Sequence, residues 1–177
     1  MIALVGMPGS GKSTVARLLA KRLGLPHVDS DHEIEAAVGC TIRAYFDEHG
    51  EDAFRNLEVE TIDRLTRGSQ QQVLATGGGV VLRSENRDTL HDRCFVVYLR
   101  AMPEDIYRRL RHDKTRPLLQ VRDPLQKLKE LFAVRDPLYR DVAHFTLETG
   151  RPNVATLVNT IAMQLEMSGL SEPNQRP

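Results

Sequence analysis

The sequence predicts an α/β domain in which a parallel sheet of about five strands is flanked by helices. Short apolar runs without polar alternation occur along the chain, as is typical of strands that are buried on both faces. Amphipathic stretches with helical spacing separate these runs, and strands that alternate with helices favour a parallel sheet. No linker divides the 177 residues, so we expect one domain over residues 1–167 and a flexible polar tail over residues 168–177.

Five apolar segments are the candidate strands. The strongest are Ile2–Val5, Val73–Ala75 and residues 95–99, because each is a continuous run of apolar side chains. Residues 27–28 and 145–147 are shorter or less regular, and they give the two weaker candidates.

Helical spacing of apolar side chains indicates two helices in the first half of the chain. The first stripe precedes Gly24 and Pro26, which are residues that commonly end helices. It consists of Val15, Leu18, Leu19 and Leu23. The second stripe consists of Leu57, Ile62 and Leu65.

Capping residues indicate three more helices in the second half. Pro103 is suited to a first helical turn, and Asp123 before Pro124 and Asn153 can each cap a helix. The sequence Val-Arg-Asp-Pro-Leu occurs at residues 121–125 and again at residues 134–138. We interpret the second copy as a reused Asp-Pro helix start.

Charge and composition argue against several classes of protein. Lys+Arg and Asp+Glu number 24 each, so no global field directs the chain to nucleic acid or to a membrane surface. No segment reaches the about 18 apolar residues of a membrane span, and the N-terminus lacks a basic signal region. We expect a cytoplasmic protein with no nucleic-acid or membrane partner. Cys40 and Cys94 form no metal-binding or redox spacing, and we expect both to be reduced and buried.

Residues 6–13 read Gly-Met-Pro-Gly-Ser-Gly-Lys-Ser, a full match to the phosphate-binding pattern G-x-x-x-x-G-K-[ST]. The pattern lies between a candidate strand and a candidate helix, which is the context that it requires. Its glycines let successive backbone N–H groups face phosphate oxygens, and the helix N-terminus adds its positive end. The predicted nucleotide-binding residues here are Gly9, Ser10, Gly11, Lys12, Ser13 and Thr14. We call residues 6–14 the cradle.

The last residues of the pattern carry the chemistry. Lys12 is expected to place a positive charge on the β- and γ-phosphates, and the Ser13 hydroxyl is a suitable ligand for Mg²⁺. We expect ATP rather than GTP, because the sequence has no Asn-Lys-x-Asp segment for reading guanine. The small size of the chain favours a kinase for a small molecule over a GTPase or a motor ATPase.

Five further motifs occur in order along the chain. They are Asp29-Ser30-Asp31, Phe54-Arg55 with Glu58, Thr76-Gly77-Gly78-Gly79, Arg116-Pro117-Leu118-Leu119, and Arg135-Asp136-Pro137-Leu138-Tyr139. Together with the cradle, this set resembles the shikimate kinase family from residue 2 to about residue 165. The resemblance implies a nucleoside-monophosphate-kinase-like P-loop NTPase fold with a substrate-binding helical segment over about residues 29–60 and a mobile lid over about residues 109–122. It also implies ATP-dependent phosphorylation of the 3-hydroxyl of shikimate, with Mg²⁺.

The resemblance implies a role for each motif. Asp31 holds the hydroxyls of shikimate and is placed to accept the proton of the attacking 3-hydroxyl, either as a base or by orienting the hydroxyl. Asp29 lies near Mg²⁺ together with Ser13. Arg55 and Arg135 grip the shikimate carboxylate, for which planar guanidinium groups are suited. The implied substrate-binding residues are Asp31, Arg55, Gly77, Gly78, Gly79 and Arg135.

The basic stretch around residues 108–122 falls where the family has its lid. Arg116 matches the lid arginine that reaches the phosphates and can stabilise charge in the transition state. Either Arg109 or Arg111 is expected to lie against adenine, and Arg151 is near a second adenine-contacting segment where this chain departs from the family pattern. The predicted catalytic residues are Lys12, Asp31 and Arg116. Phe46 and Phe54 match pocket-wall positions in the family, but both also fit a packing role.

Two other functions stay open at this point. The first is a kinase for another small polyol acid such as gluconate, against which the joint presence of Arg55, the glycine triplet and Arg135 argues. The second is a nucleotide-binding regulator without catalysis, against which the intact Lys12 and Asp31 argue. We expect a monomer whose partner is a small molecule.

Overall fold

The computed structural model describes residues 1–111, 121–150 and 152–170. Its strands are β1 (Ile2–Val5), β2 (His27–Asp29), β3 (Val73–Ala75), β4 (Phe95–Arg100) and β5 (Phe145–Glu148). The helices within those residues are α1 (Lys12–Leu23), α2 (Ser30–Val38), α3 (Ile42–Thr66), α4 (Ser84–Arg93), α5 (Pro103–Leu110), α6 (Pro124–Val142) and α7 (Val154–Met167). A short 3₁₀ helix, Val80–Leu82, precedes α4.

The five strands form one sheet in the order β2-β3-β1-β4-β5, and every neighbouring pair is parallel. The predicted five-stranded parallel sheet is therefore confirmed. Because the strands are parallel, the segments that follow β1, β2 and β3 all leave the sheet at the same edge. The cradle, Asp29 and the glycine triplet are brought together in this way.

Both faces of the sheet are covered by apolar side chains. Along β1, Ala3 and Val5 pack into the core on one face, with residues of α3, α4 and α6. Ile2 and Leu4 pack into the core on the other face, with residues of α1 and α7. This two-sided burial explains why the strands appear in the sequence as continuous apolar runs.

The apolar stripes and caps predicted five of the helices but neither α2 nor α4, although the family resemblance implied a helical segment over about residues 29–60, where α2 and the first half of α3 lie. The predicted stripes and caps correspond to α1, the second half of α3, α5, α6 and α7. Ile34 is the buried apolar side chain of α2 and Leu90 that of α4, so neither helix has an apolar stripe. The first half of α3 was also missed, and it is separated from the second by Gly50, whose φ of 80° interrupts the helix.

Helix α6 corrects the interpretation of the repeated pentapeptide. Asp123 caps α6 by accepting a hydrogen bond from the backbone N–H of Gln126 at 3.0 Å, as expected of a helix start. The second Asp-Pro pair does not start a helix, because Pro137 lies inside α6. The Asp136 carboxylate instead bonds to side chains of β4, so it does not cap the backbone.

Two smaller findings concern class and chemistry. None of the helices in the described residues is long and apolar enough to cross a membrane. Cys40 and Cys94 are both free thiols. Cys94 is buried, as expected, but Cys40 is only half-buried, which corrects that part of the prediction.

Candidate active site

A cavity of about 670 Å³ opens beside the cradle. The cradle lines one side of it with residues 8–14. Gly9 and Gly11 have φ values of 82° and 99°, which favour glycine, and they turn the backbone between β1 and α1. A Cβ at Gly9 would also lie 2.5 Å from Leu110 Cδ1 of α5. The cradle is thus shaped by backbone conformation and packs closely against α5.

Lys12 is held at the base of the cradle. Its side chain is buried, and Nζ donates hydrogen bonds to the carbonyl oxygens of Gly6 at 2.8 Å and Met7 at 3.0 Å. Lys12 also lines the cavity. Its positive charge therefore lies where phosphate groups would be bound by the cradle.

Ser13 and Asp29 form an oxygen pair on the cavity wall. The Ser13 hydroxyl donates a hydrogen bond to Asp29 Oδ2 at 2.9 Å. The other oxygen, Oδ1, accepts a hydrogen bond from the backbone N–H of Asp31 at 3.1 Å and caps α2. The carboxylate is therefore positioned by the start of the helix that follows β2.

Asp31 lines the same cavity and lies against the glycine triplet. A Cβ at Gly77 would be 2.6 Å from Asp31 Oδ1, so the backbone approaches the carboxylate closely. Burial raises the pKa of Asp31, the charge of Asp29 raises it further, and Lys12 partly opposes this. Ionisation of Asp31 is thus less favourable in this partly desolvated position beside the cradle than at an exposed site.

Arg55 is fixed by a buried ion pair. Its Nη1 donates a hydrogen bond to Glu58 Oε2 at 2.8 Å, and the Glu58 side chain is 1% exposed. Burial raises the pKa of Glu58, and the charge of Arg55 and its hydrogen bond work against this rise. The Arg55 guanidinium also lies 5.8 Å and 5.1 Å from the ring centroids of Phe46 and Phe54. Phe54 is buried, so at least this ring belongs to the packing that supports Arg55.

The glycine triplet fits between the cradle and Arg55. A Cβ at Gly78 would be 2.7 Å from Pro8 of the cradle. A Cβ at Gly79 would be 2.4 Å from the two terminal nitrogens of Arg55. Gly77 is fixed by its backbone N–H, which donates to Ser30 Oγ at 3.1 Å. Any side chain at position 78 or 79 would displace a neighbour.

Arg135 approaches the same turn from α6. Its Nη1 donates a hydrogen bond to the carbonyl oxygen of Gly78 at 3.2 Å. The Tyr139 hydroxyl donates to the same carbonyl. Arg55 and Arg135 thus contact neighbouring residues of the glycine triplet, although they are far apart in sequence. The structure brings together Asp31, Arg55, Gly77, Gly78, Gly79 and Arg135.

The other end of the cavity is formed by the last turn of α5 and by residues after β5. Arg109, Thr149 and Asn153 line it, and Arg109 donates a hydrogen bond to the carbonyl oxygen of Thr149. Of the two arginines that the sequence left open for adenine, Arg109 is therefore the one that lines the cavity. Arg116 and Arg151 lie outside the described residues, as do residues 112–120 of the predicted lid.

Several residues at this site were not among the predicted site residues. Glu58 fixes Arg55, Tyr139 bonds to Gly78, and Ser30 bonds to Gly77. Glu58 follows Arg55 by three residues, the spacing of neighbours on a helix face, and this was the available signal. The sequence gave no signal for Thr149, because the hydrogen bond from Arg109 to its carbonyl oxygen joins two segments that are far apart in the chain.

Comparison with known proteins shows the family. The family model described as shikimate kinase matches residues 8–166. A shikimate kinase from Paracidovorax citrulli is 59% identical over 98% of this chain and 96% of its own length. One from Ralstonia nicotianae is 55% identical over 97% of this chain and 90% of its own length.

A solved structure gives the same result at the level of the fold. The shikimate kinase from Acinetobacter baumannii in complex with shikimate superimposes with a TM-score of 0.88 and 46% identity. The match covers 97% of this chain and 94% of that one. This chain has the P-loop NTPase fold and the cradle, and the family model and the relatives match it over nearly its full length. The chain therefore belongs to the shikimate kinase family.

Proposed function

We propose that this chain transfers the γ-phosphoryl group of ATP to the 3-hydroxyl of shikimate, giving ADP and shikimate 3-phosphate. The observation that carries the proposal is the position of Asp31. Its carboxylate lines the cradle cavity and also lies against Gly77, in the triplet that Arg55 and Arg135 contact. A hydroxyl held by Asp31 would therefore lie between the phosphate-binding and the carboxylate-binding groups.

The cradle provides the electrostatic part of the reaction. Backbone N–H groups of Gly9 and Gly11 and the N-terminus of α1 are available to the phosphates, whereas the N–H of Ser10 donates to the carbonyl oxygen of Met7 at 3.1 Å. Lys12 adds a fixed positive charge. Phosphoryl transfer has a loose transition state with charge spread over the transferred oxygens. Fixed donors around that charge lower the barrier because they need no reorganisation during the reaction.

Ser13 and Asp29 fit a Mg²⁺ ion. Among the residues that the structure describes, no group of three or more His, Cys, Asp or Glu side chains is placed to hold a metal. Mg²⁺ does not need such a group, since it commonly takes one or two protein oxygens and completes its shell with water and phosphate oxygens. When bound, Mg²⁺ neutralises charge on the β- and γ-phosphates.

The substrate side orients the nucleophile. The guanidinium groups of Arg55 and Arg135 bind the shikimate carboxylate, and Glu58 keeps Arg55 in place. Asp31 accepts a hydrogen bond from the 3-hydroxyl and takes its proton as the new oxygen–phosphorus bond forms. Orientation of this hydroxyl lowers the barrier more than the basicity of Asp31 does, because little of the new oxygen–phosphorus bond has formed in a loose transition state.

Three finer expectations belong to this proposal. The family resemblance assigns Arg116 to stabilising the charge of the transferred phosphoryl group, and Arg109 and Arg151 to binding adenine. The protein acts as a monomer in the cytoplasm.

A coupled ADP-release assay tests the proposal directly. Purified protein with MgATP should turn over shikimate at least about 100-fold faster than gluconate, because two arginines and Asp31 match the carboxylate and hydroxyls of shikimate. Phosphorus NMR of the product should show a single phosphate ester at the 3-position. Turnover of gluconate but not of shikimate would show that the proposed substrate is wrong. Binding of ATP without turnover of either acid would support a nucleotide-binding regulator.

A further inference from the structure

Asp136 makes a set of bonds that the proposed reaction does not use. Its Oδ1 accepts hydrogen bonds from the Tyr98 hydroxyl at 2.8 Å and from Arg100 Nε at 2.9 Å. Its Oδ2 accepts one from Arg140 Nε at 2.8 Å. Tyr98 and Arg100 belong to β4, whereas Asp136 and Arg140 belong to α6. The carboxylate therefore fastens the middle of α6 to the end of a central strand.

The fastened point lies next to the substrate-binding arginine. Arg135 is the residue before Asp136, and its Nη1 contacts the carbonyl oxygen of Gly78 at 3.2 Å. Tyr139, one turn later, donates to the same carbonyl. The ring of Tyr139 stacks on the ring of Tyr98 at 4.9 Å between centroids. Tyr98 thus contacts α6 twice, through its hydroxyl to Asp136 and through its ring to Tyr139.

We propose that Asp136 is a positioning residue that fixes Arg135, through the β4 contacts of Tyr98 and Arg100, in the orientation that binds the substrate carboxylate. The inference rests on the proposed function, because it takes Arg135 as a ligand of shikimate. Pro137 is one reason why α6 needs these side-chain contacts at this point. A proline inside a helix removes one backbone hydrogen bond, so α6 is weakened one residue after Asp136.

The groups around Asp136 favour its ionised form. Its side chain is 14% exposed and meets two guanidinium groups and one hydroxyl, all of which act as donors. Burial works to raise the pKa of Asp136, but the hydrogen bonds from Arg140, Tyr98 and Arg100 outweigh it and the pKa is lowered. An amide at this position would turn an N–H₂ group toward at least one donor.

The test compares the effect of Asp136→Asn in the wild-type protein with its effect in the Arg135→Ala variant. Asp136→Asn should raise the KM for shikimate about tenfold, with kcat within about threefold and the KM for ATP unchanged, because only ground-state binding of the carboxylate is disturbed. In the Arg135→Ala background, the same substitution should change kcat/KM less than about twofold. Its effect on the melting temperature should be the same in both backgrounds.

Two controls separate positioning from general stability. Asp141→Asn removes the same charge from an exposed position of α6 and should leave all kinetic constants unchanged. Tyr98→Phe removes one donor to Asp136 but keeps the ring that stacks on Tyr139, and it should raise the KM for shikimate about threefold. It also serves if Asp136→Asn fails to fold.

Equal losses of kcat/KM in both backgrounds, or equal changes in the KM for ATP and for shikimate, would overturn the proposal and leave Asp136 with a structural role. A crystal structure of the Asp136→Asn variant gives a readout that needs no turnover. The contact between Arg135 and Gly78 should be lost in it, and its retention would overturn the proposal. Failure of the wild-type protein to phosphorylate shikimate would instead contradict the proposed function.

Discussion

The two halves of the site are built in different ways. The cradle is one continuous stretch, residues 6–14, shaped by its own backbone conformation between β1 and α1. The substrate half consists of Asp31 in α2, Arg55 and Glu58 in α3, the glycine triplet after β3, and Arg135 in α6. Its geometry depends on the order of the strands and on contacts between distant segments.

This difference determines what a substitution can disturb. In the cradle, the groups proposed to bind phosphate are mostly backbone N–H groups, and the side chain of Lys12 is the exception, since it also bonds to the carbonyl oxygens of Gly6 and Met7. In the substrate half, the side chains that we propose to bind the substrate also bind each other. The buried pair of Arg55 and Glu58 is an example, because removing one partner would leave the other charge buried alone.

The largest expected effect is a loss of turnover in the cradle. Lys12→Ala should lower kcat by about 100-fold or more, because a fixed charge at the transferred phosphates is lost. The variant should remain folded, with a lower melting temperature than Lys21→Ala, an exposed position in the same helix, because Lys12 also bonds to the carbonyl oxygens of Gly6 and Met7. ADP release and thermal unfolding measure the two quantities. Activity within about threefold of wild type, or roughly 0.65 kcal/mol of barrier, would contradict the assignment.

The next effect separates two arginines that share one local sequence. Arg122 and Arg135 both occur in Val-Arg-Asp-Pro-Leu, but Arg122 is exposed and Arg135 contacts Gly78. Arg135→Ala should lower kcat/KM for shikimate at least about 30-fold, which corresponds to roughly 2 kcal/mol. Arg122→Ala should remain near wild type, since a solvated charge contributes well under about 1 kcal/mol. A larger effect at Arg122 would show that Arg122, and not Arg135, binds the substrate carboxylate.

The sequence predicted the cradle better than the substrate half for a physical reason. A local turn leaves its signature in adjacent residues, and residues 6–13 show it completely. The positions of Arg55 and Arg135 beside the glycine triplet follow from the strand order β2-β3-β1-β4-β5, which no single segment encodes. Family resemblance supplied these residues and placed Glu58 and Tyr139 in the same motifs, but the partners of Glu58 and Tyr139 became known only from the contacts.

The same reasoning explains which elements were found. Continuous apolar runs predicted the strands, since both faces of the sheet are buried. Helix α4 has a polar sequence with Leu90 and Asn86 as its buried side chains, so no stripe was visible. The Asp-Pro pair at residues 136–137 has the sequence of a helix start, but the bonds from β4 to Asp136 place it inside α6.

A smaller effect is expected from the close packing of the glycine triplet. A Cβ at Gly79 would be 2.4 Å from the Arg55 guanidinium, which would have to move. Gly79→Ala should therefore raise the KM for shikimate about tenfold while leaving the KM for ATP unchanged. Gly68→Ala is the matched control, because the atom nearest to its added Cβ is 3.8 Å away. Equal changes in both KM values would mean that the triplet supports the cradle as much as the substrate half.

The smallest effect concerns stability rather than activity, and it lies where the two halves meet. Burial raises the pKa of Asp31 above its usual value of 3.8, and the charge of Asp29 adds to this. The folded protein therefore binds this proton more tightly than the unfolded chain. The contribution of Asp31 to the free energy of unfolding falls as the pH rises from about 3.8 through the raised folded pKa, and it stays low above that value.

Asp31→Asn should remove this dependence. The variant should lose most activity, yet at about pH 7 it should be more stable than wild type, by about 1 kcal/mol or less, because no buried carboxylate has to ionise. At about pH 4 the difference should shrink, since the raised pKa lets more of the wild-type carboxyl keep its proton in the folded state than at neutral pH. Urea unfolding of both proteins at the two pH values measures it, with Asp92→Asn as an exposed control. A variant that is less stable than wild type at neutral pH would show that the ionised Asp31 supports the fold, and the substrate half would then hold its catalytic carboxylate at no cost in stability.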